Sequence, residues 1–406
     1  MNASDPTRPP EDLASIAEIS TLARASARHA TEIQILSDGA DAFPAMLALI
    51  EGARAQVLFE NFIFSGDATG TRFAAALAAA ARRGVDVRVL YDPIGSMMVS
   101  GGSIADELNR LGVTVRAFRP LSALNPLSWS RLLNRDHRKA LSVDAEAAVV
   151  GGLCISDNWA PASEGGAGWR DTALLVRGPI AADVRAEFEA MWQRAVGIAV
   201  ASSAAGAEAA AGHTAASDAV GADVDAQPAA WVVIDEPGIQ QVWDLYAGLT
   251  ARARRSIEIT GAYLVLQKSA QVAFGAAARR GIRVRMLLPG RNNHPLAGAA
   301  ARSGYEPLLE AGVEIHEWNG AMIHAKTAVF DGELALVGSS NLDPLSTHRN
   351  FELNLLVADR TTGAKMSAMF ERDLATATRI ELASWRQRPR WQRLAEATGA
   401  LFGSHL

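Results

Sequence analysis

Two phrases in this chain are near copies: residues 78–90 read AAAARRGVDVRVL and residues 276–287 read AAARRGIRVRML. In each, a small-residue helix stops at a glycine, Gly84 or Gly281, and an alternating apolar strand follows. Glycine closes helices because it takes the left-handed turn without steric cost. The surrounding order repeats too. The first half runs VLFENFIF at 57–64, a helix over 72–83, VDVRVLYD, a helix over 104–111 ending at Gly112, then VTVRAF. The second runs SIEITGAYLV at 256–265, a helix to Gly281, IRVRMLLP, a helix to Ala311 and Gly312, then VEIHEW. Strands alternating with helices predict an α/β fold with a largely parallel sheet in each half. The repetition predicts an internal duplication.

Between the halves, residues 199–230 are rich in Ala, Gly and Ser, and valine is the only larger aliphatic residue until the end of the run. Such a stretch reads as a linker or surface insertion. The expected organisation is therefore 1–198, a first half with an N-terminal extension; 199–230, the linker; 231–378, the second half; and 379–406, a basic Trp/Arg-rich tail. With 49% hydrophobic and 20% charged residues, the 406-residue chain can bury a sizeable core. A net charge of −5 argues against a face devoted to nucleic acid. A single cysteine, Cys154, rules out an intrachain disulfide. The start, MNASDPTRPPEDLAS, has no apolar centre, so no secretory leader is expected, and no apolar run reaches membrane-spanning length.

The duplication extends to the residues able to do chemistry. Residues 136–154 read DHRKALSVDAEAAVVGGLC and residues 323–341 read IHAKTAVFDGELALVGSSN. His137, Lys139 and Asp144 recur as His324, Lys326 and Asp331, each 187 positions later. Gly151 and Gly152 recur in the same register as Gly338 and Ser339. Residues i and i+2 of a strand share a face, so each His projects with its Lys. The Asp-Gly step at Asp331 suits a tight hairpin, whose returning strand carries Ser339 and Asn341 back beside them. Doubled, the set supplies two imidazoles and two ammonium groups. One neutral imidazole can attack phosphorus while the other, protonated, expels an alkoxide, and the lysines offset phosphoryl charge. Two ammonium groups would repel a metal ion and His-x-Lys is not a ligand spacing, so neither metal nor cofactor is expected.

The doubled pattern His-x-Lys-x4-Asp-x6-Gly-(Gly/Ser)-x-Asn resembles the signature of the phospholipase D superfamily. The fuller set of phrases, among them FENFIFSGDATGTRFAAAL, NRDHRKALSVD, WRDTALLVRGP and SSNLDPLSTHRNFELNLLV, is most like bacterial cardiolipin synthases. The resemblance implies two α/β/α halves with mixed, largely parallel sheets sharing one active site, and ping-pong transfer through a covalent phosphatidyl-histidine. It implies that His137 and His324 are nucleophile and general acid, with His137 favoured for attack, and that Lys139, Lys326, Ser339 and Asn341 hold phosphate oxygens. Asp171 and Glu352 stand where the family has acids that orient the histidines. Asp144 and Asp331 read as structural turn residues. Glu60, inside an apolar run, stands where the resemblance puts an acid near a headgroup pocket, and a salt bridge holding the sheet is the equal alternative. The first copy departs at its last position, where Cys154 replaces Asn. A buried small side chain is the simpler reading of that thiol.

The implied function is a phosphatidyltransferase of phospholipid biosynthesis that moves a phosphatidyl group onto a glycerol-type hydroxyl of a second phospholipid. The alternatives are a phospholipase D-type hydrolase giving phosphatidic acid, and less readily a nuclease. The implied partners are phospholipids and a membrane surface, with no nucleic acid, and the implied location is the bacterial cytoplasm, peripherally on the inner membrane. Two stretches mix Trp, Leu and Arg as interfacial segments do: 118–135, which includes Trp129, and the tail, which includes Trp385 and Trp391. Oligomeric state is left open.

Overall fold

The structure is a computed structural model and describes residues 13–97, 104–120, 132–197 and 228–402. Most of the expected linker, and residues 121–131 of the first Trp/Leu/Arg stretch with Trp129, lie outside the described residues.

The strands, in chain order, are β1 (Arg28–His29), β2 (Glu32–Ser37), β3 (Gln56–Asn61), β4 (Asp86–Tyr91), β5 (Thr114–Ala117), β6 (Lys139–Val143), β7 (Ala147–Gly151) and β8 (Thr172–Arg177). They continue as β9 (Ala229–Asp235), β10 (Ser256–Gly261), β11 (Arg283–Pro289), β12 (Glu314–Trp318), β13 (Lys326–Phe330), β14 (Leu334–Gly338), β15 (Glu352–Ala358) and β16 (Ala377–Ile380). They form a seven-stranded sheet, β2-β8-β7-β6-β3-β4-β5, and a nine-stranded sheet, β1-β9-β15-β14-β13-β10-β11-β12-β16. The shared core order, β8-β7-β6-β3-β4-β5 against β15-β14-β13-β10-β11-β12, is the duplication in three dimensions.

Both sheets are mixed, as expected, with a smaller parallel part than the alternation suggested. Only β3-β4-β5 and β10-β11-β12 run parallel, joined by helical crossovers. The other pairings are antiparallel, because each His-Lys motif folds as a hairpin, β6-β7 or β13-β14, and its next strand returns beside it. Residues 13–29 adjoin the first half in sequence but pack on the second. β1 forms the edge of the nine-stranded sheet, and Ile19 and Ala23 of the helix Ile16–Ala23 enter the core around Trp231 and Leu245. At the other edge β16 pairs with β12, so the tail begins inside a strand.

Helices cover the outer face of each sheet, and the duplicated helices end as their glycines predict, with φ of 90° at Gly84 and 89° at Gly281. The first of them starts a turn earlier than periodicity suggested, at Ala68, because the Asp67 carboxylate caps it by accepting the Gly70 N–H at 3.0 Å. The inner faces meet. Val150, Leu174 and Val176 of the first sheet form one cluster with Val337, Leu353 and Leu355 of the second, joined by Met366 and Met369 of the helix Arg360–Leu374. The halves are thus fused through a dry apolar layer at the level of the two hairpins.

Both hairpin turns use left-handed residues, Asp144 and Ala145 in the first (φ 53° and 55°) and Asp331 and Gly332 in the second (φ 54° and 69°). Ala145 bears a Cβ where its counterpart has none. Ala145→Gly is therefore expected to stabilise the protein by about 0.5–1 kcal/mol in a denaturant titration, without changing what the site does.

Candidate functional site

His137 stands two residues before Lys139, the first residue of β6, and His324 occupies the same place before Lys326 of β13. Each is fixed by backbone pairing with the other half. The His137 N–H donates to the Phe351 carbonyl at 3.0 Å, and the Phe351 N–H donates to Arg135 O at 2.9 Å. Likewise the His324 N–H donates to Arg170 O at 2.6 Å, and the Arg170 N–H to Met322 O at 2.9 Å. Phe351 precedes Glu352 and Arg170 precedes Asp171. Each bridge therefore sets an acid of one half against the histidine of the other. His137 Nδ1 lies 3.0 Å from both Glu352 oxygens, and His324 Nδ1 lies 2.8 Å from Asp171 Oδ2. Arginines clamp the bridging segments: Arg135 to Asp92 at 2.8 Å, and Arg170 across the halves to Asp373 at 2.8 Å.

The motif glycines make room for side chains beside the site, Asp171 in one half and Asn354 in the other. A Cβ on Gly152 would fall 2.3 Å from Asp171 Oδ1, and one on Gly338 would fall 2.2 Å from Asn354 Oδ1. The position matching Gly152 in the second half holds Ser339, whose hydroxyl donates to Glu352 Oε2 at 2.5 Å and does not line the cavity described below. In the first half the corresponding donor is Trp159, whose Nε1–H reaches Asp171 Oδ2 at 2.8 Å. Sequence reasoning missed Trp159, because nothing in a tryptophan twelve residues before an aspartate signals a hydrogen bond between them.

Both carboxylates stay below the usual carboxylate range. Burial pushes them up, but the hydrogen bond and charge of the partner histidine, together with the nearby lysines, more than offset it. The imidazoles are pushed the other way. Burial and then Lys326 lower His324 to about 3 despite Asp171, and burial lowers His137 despite Glu352. Burial lowers Lys139, and lowers Lys326 to about 7. An ionised carboxylate can only accept, so each ring carries its proton on Nδ1 and its lone pair on Nε2. Lys326 Nζ lies 2.9 and 3.0 Å from the two ring nitrogens of His324 and donates to His324 O at 2.5 Å. Lys139 Nζ donates to His137 O and sits 5.1 Å from the Phe62 ring centre.

Both histidines open onto one cavity of about 500 Å³. Aromatic rings form much of its wall. Phe62 stands edge-on to His137 at 4.9 Å, and Trp159 edge-on to His324 at 5.1 Å, with Trp169 and Tyr263 beside them. Asn341 lines the cavity, and its buried Oδ1 has no partner among the described residues. Cys154 lines it at the matching place in the first half, its thiol pushed up by burial. Asp343, which sequence reasoning passed over, also faces it and is pushed up to about 7 by burial.

The remaining candidates lie elsewhere. Glu60 does not line the cavity. It is wholly buried beside Asp136 and Arg138, and burial followed by the charge of Asp136 keeps its carboxyl well above the ordinary range. The strand alternation that places Phe59 in the outer core turns Glu60 to the opposite face, away from the cavity. Asp144 accepts the N–H groups of Arg54, Ala55 and Gln56 at 2.8–2.9 Å, and Asp331 those of Arg254, Arg255 and Ser256 at the same distances. Each aspartate ties its hairpin turn to the start of the neighbouring strand.

A family model described as "Cardiolipin synthase, PLD-like domain" matches residues 46–192 and again 248–374. The cardiolipin synthase of Geobacillus kaustophilus (strain HTA426) is 32% identical to this chain over 92% of it and 72% of that protein. The major cardiolipin synthase of Bacillus subtilis (strain 168) is 29% identical over 91% of this chain and 74% of its own length. Among solved structures, the phosphatidylserine synthase of Haemophilus influenzae Rd KW20 shares the fold, with a TM-score of 0.74 over 97% of this chain and 100% of that one at 13% identity.

The neutral state of His324 has a consequence for stability. On unfolding, the ring takes up a proton anywhere between about pH 3 and its ordinary 6.5. Its contribution to stability is therefore present above 6.5 and is lost as the pH falls toward 3. In His324→Gln that proton is absent. Between about pH 4 and 6 the rise of unfolding free energy with pH should become shallower by roughly 1.4 kcal/mol per unit, measured by denaturant titration. An unchanged gradient would mean that the ring is already charged in the folded protein.

Proposed function

The chain belongs to the cardiolipin synthase, PLD-like domain family, and from that premise we propose that it is a phosphatidyltransferase that joins two phospholipids through a phosphatidyl-histidine. The observation that carries the reading is the crossed pairing: two neutral histidines, each held by a carboxylate of the other half, open onto one cavity.

In the first step Nε2 of one imidazole, assigned to His137 by the family resemblance, attacks the donor phosphorus. An N–P bond forms, the P–O bond to the leaving glycerol breaks, and the other imidazole, His324, gives that oxygen its proton. In the second step His324 takes the proton of an acceptor hydroxyl, whose oxygen attacks phosphorus as the N–P bond breaks. Lys139, Lys326 and the Asn341 amide balance the charge on the phosphoryl oxygens. Glu352 and Asp171 hold the ring tautomers and support the charge each ring acquires. Both histidines are neutral at rest, and the negative charge of a bound phosphodiester is what raises one toward protonation. The aromatic wall of Phe62, Trp159 and Trp169 favours a lipid hydroxyl over water as acceptor. Work on phospholipids places the protein at a membrane surface. Among the described residues no helix is long and apolar enough to cross one.

Purified protein incubated with phosphatidylglycerol in mixed micelles is expected to yield cardiolipin and glycerol by mass spectrometry, and His324→Ala to yield neither. Phosphatidic acid as the sole product would replace the transferase reading with a hydrolase. Asp171→Asn is expected to lower kcat about 10³–10⁴-fold with little change in KM, because an amide no longer fixes the productive tautomer. A loss confined to KM would instead mark Asp171 as a binding residue.

A further inference from the structure

The helix Arg390–Phe402 turns its apolar side outward. Trp391, Leu394 and Leu401 are 72%, 69% and 78% exposed, and at 100° per residue they fall on one face. Arg390 and Arg393, also exposed, flank that face. This is not a frayed end. The opposite side is anchored: Glu396 is buried and paired with Arg388 at 2.9 Å, and Gly399 packs so closely that a Cβ there would meet Ala300 N at 2.7 Å. The preceding segment is fixed as well, with Trp385 buried against Tyr305 at 5.0 Å and under the Arg388 guanidinium at 4.3 Å. The helix that Gly399 packs against, Pro295–Ser303, starts at the cavity. Its Leu296 both lines the cavity and is 52% exposed. The cavity rim thus carries an exposed apolar side chain on the same helix against which Arg390–Phe402 is packed.

From this geometry we infer that the outward face of Arg390–Phe402, together with Leu296, seats the protein on an anionic phospholipid bilayer with the cavity mouth toward the lipid. An anchored helix with Trp and Leu outward and arginines at its flank fits the headgroup boundary. The apolar side chains enter the acyl margin and the guanidinium groups meet lipid phosphates. In a symmetric pair of copies this face would meet itself and bring Arg390 and Arg393 of both copies together, which like-charge repulsion disfavours. The inference deepens the lipid-enzyme reading and rests on it for the identity of the surface.

The test is co-sedimentation with vesicles of phosphatidylcholine containing 30% phosphatidylglycerol, against pure phosphatidylcholine, for the full chain and two variants. Trp391→Ser/Leu394→Ser/Leu401→Ser is expected to lose tenfold or more of its partitioning, and Arg390→Glu/Arg393→Glu to lose the preference for anionic vesicles, about fivefold per arginine. All these side chains are exposed, so thermal unfolding should not change, and turnover of a short-chain phosphatidylglycerol below its micellar concentration should match that of the parent. Vesicle binding equal to the parent in the triple variant overturns the inference. So does a triple variant whose main change is a switch of oligomeric state by light scattering, which would make a second copy the occupant. Absence of short-chain turnover in the parent would count against the proposed activity alone, since vesicle partitioning is read without it.

Discussion

Four backbone hydrogen bonds hold the site together. Those linking Arg135 and His137 to Phe351, and Met322 and His324 to Arg170, join loop segments of the two halves as short parallel bridges. Because the acid follows the bridging residue in each case, the same bonds that dock the halves decide which carboxylate meets which imidazole. The apolar layer of Val150, Leu174, Val337 and Leu355 supplies the adhesion, but it is non-directional. The bridges, locked by Arg135 on Asp92 and Arg170 on Asp373, supply the register. Neither half contains a complete histidine–carboxylate pair by itself.

Charge at the site is closely balanced. Two buried carboxylates face two buried lysines, with two neutral imidazoles between them. Burial has weakened both lysines' hold on their protons, and Lys326 titrates near neutrality at about 7. On the proposed reading, a phosphodiester entering this balance brings uncompensated negative charge. The groups at or beside the cavity able to answer it by binding protons are Lys326, Asp343 and the histidines. Substrate binding would then recruit the proton that the leaving group needs.

The duplication has diverged where the halves meet the ligand. Ser339 supports Glu352, whereas Gly152 leaves space and Trp159 supports Asp171. Asn341 faces the cavity opposite Cys154. Beneath the first motif lies a buried group of Glu60, Asp136 and Arg138. The corresponding positions in the second half are Thr260, Ile323 and Ala325, by the matching register of β3 on β6 and β10 on β13. The two histidines therefore occupy chemically different settings within a symmetric frame, which suits two different roles.

Repetition, spacing and glycine placement made much of this legible from the chain alone. The copied phrases gave the two halves, Gly84 and Gly281 their helix ends, and the 187-residue register of His-x-Lys the paired motifs. These are local or periodic signals, set by rotamer, turn and helix-cap physics within a few residues. The antiparallel share of each mixed sheet was underestimated because alternation of strand and helix reports only β3-β4-β5 and β10-β11-β12, while the antiparallel strands beyond each hairpin depend on where the chain returns. Residues 13–29 join the second half because their apolar face fits beside Trp231, a contact more than two hundred residues away that no local pattern encodes. The same limit hid the crossed pairing of Glu352 with His137 and Asp171 with His324, the tryptophan on Asp171, and the turning of Glu60 away from the cavity. The sequence by itself determined which chemical groups are present twice and at what spacing. Only the tertiary structure decided which of them touch, because those contacts are made between halves whose docking is set by long-range packing and the backbone bonds that register it.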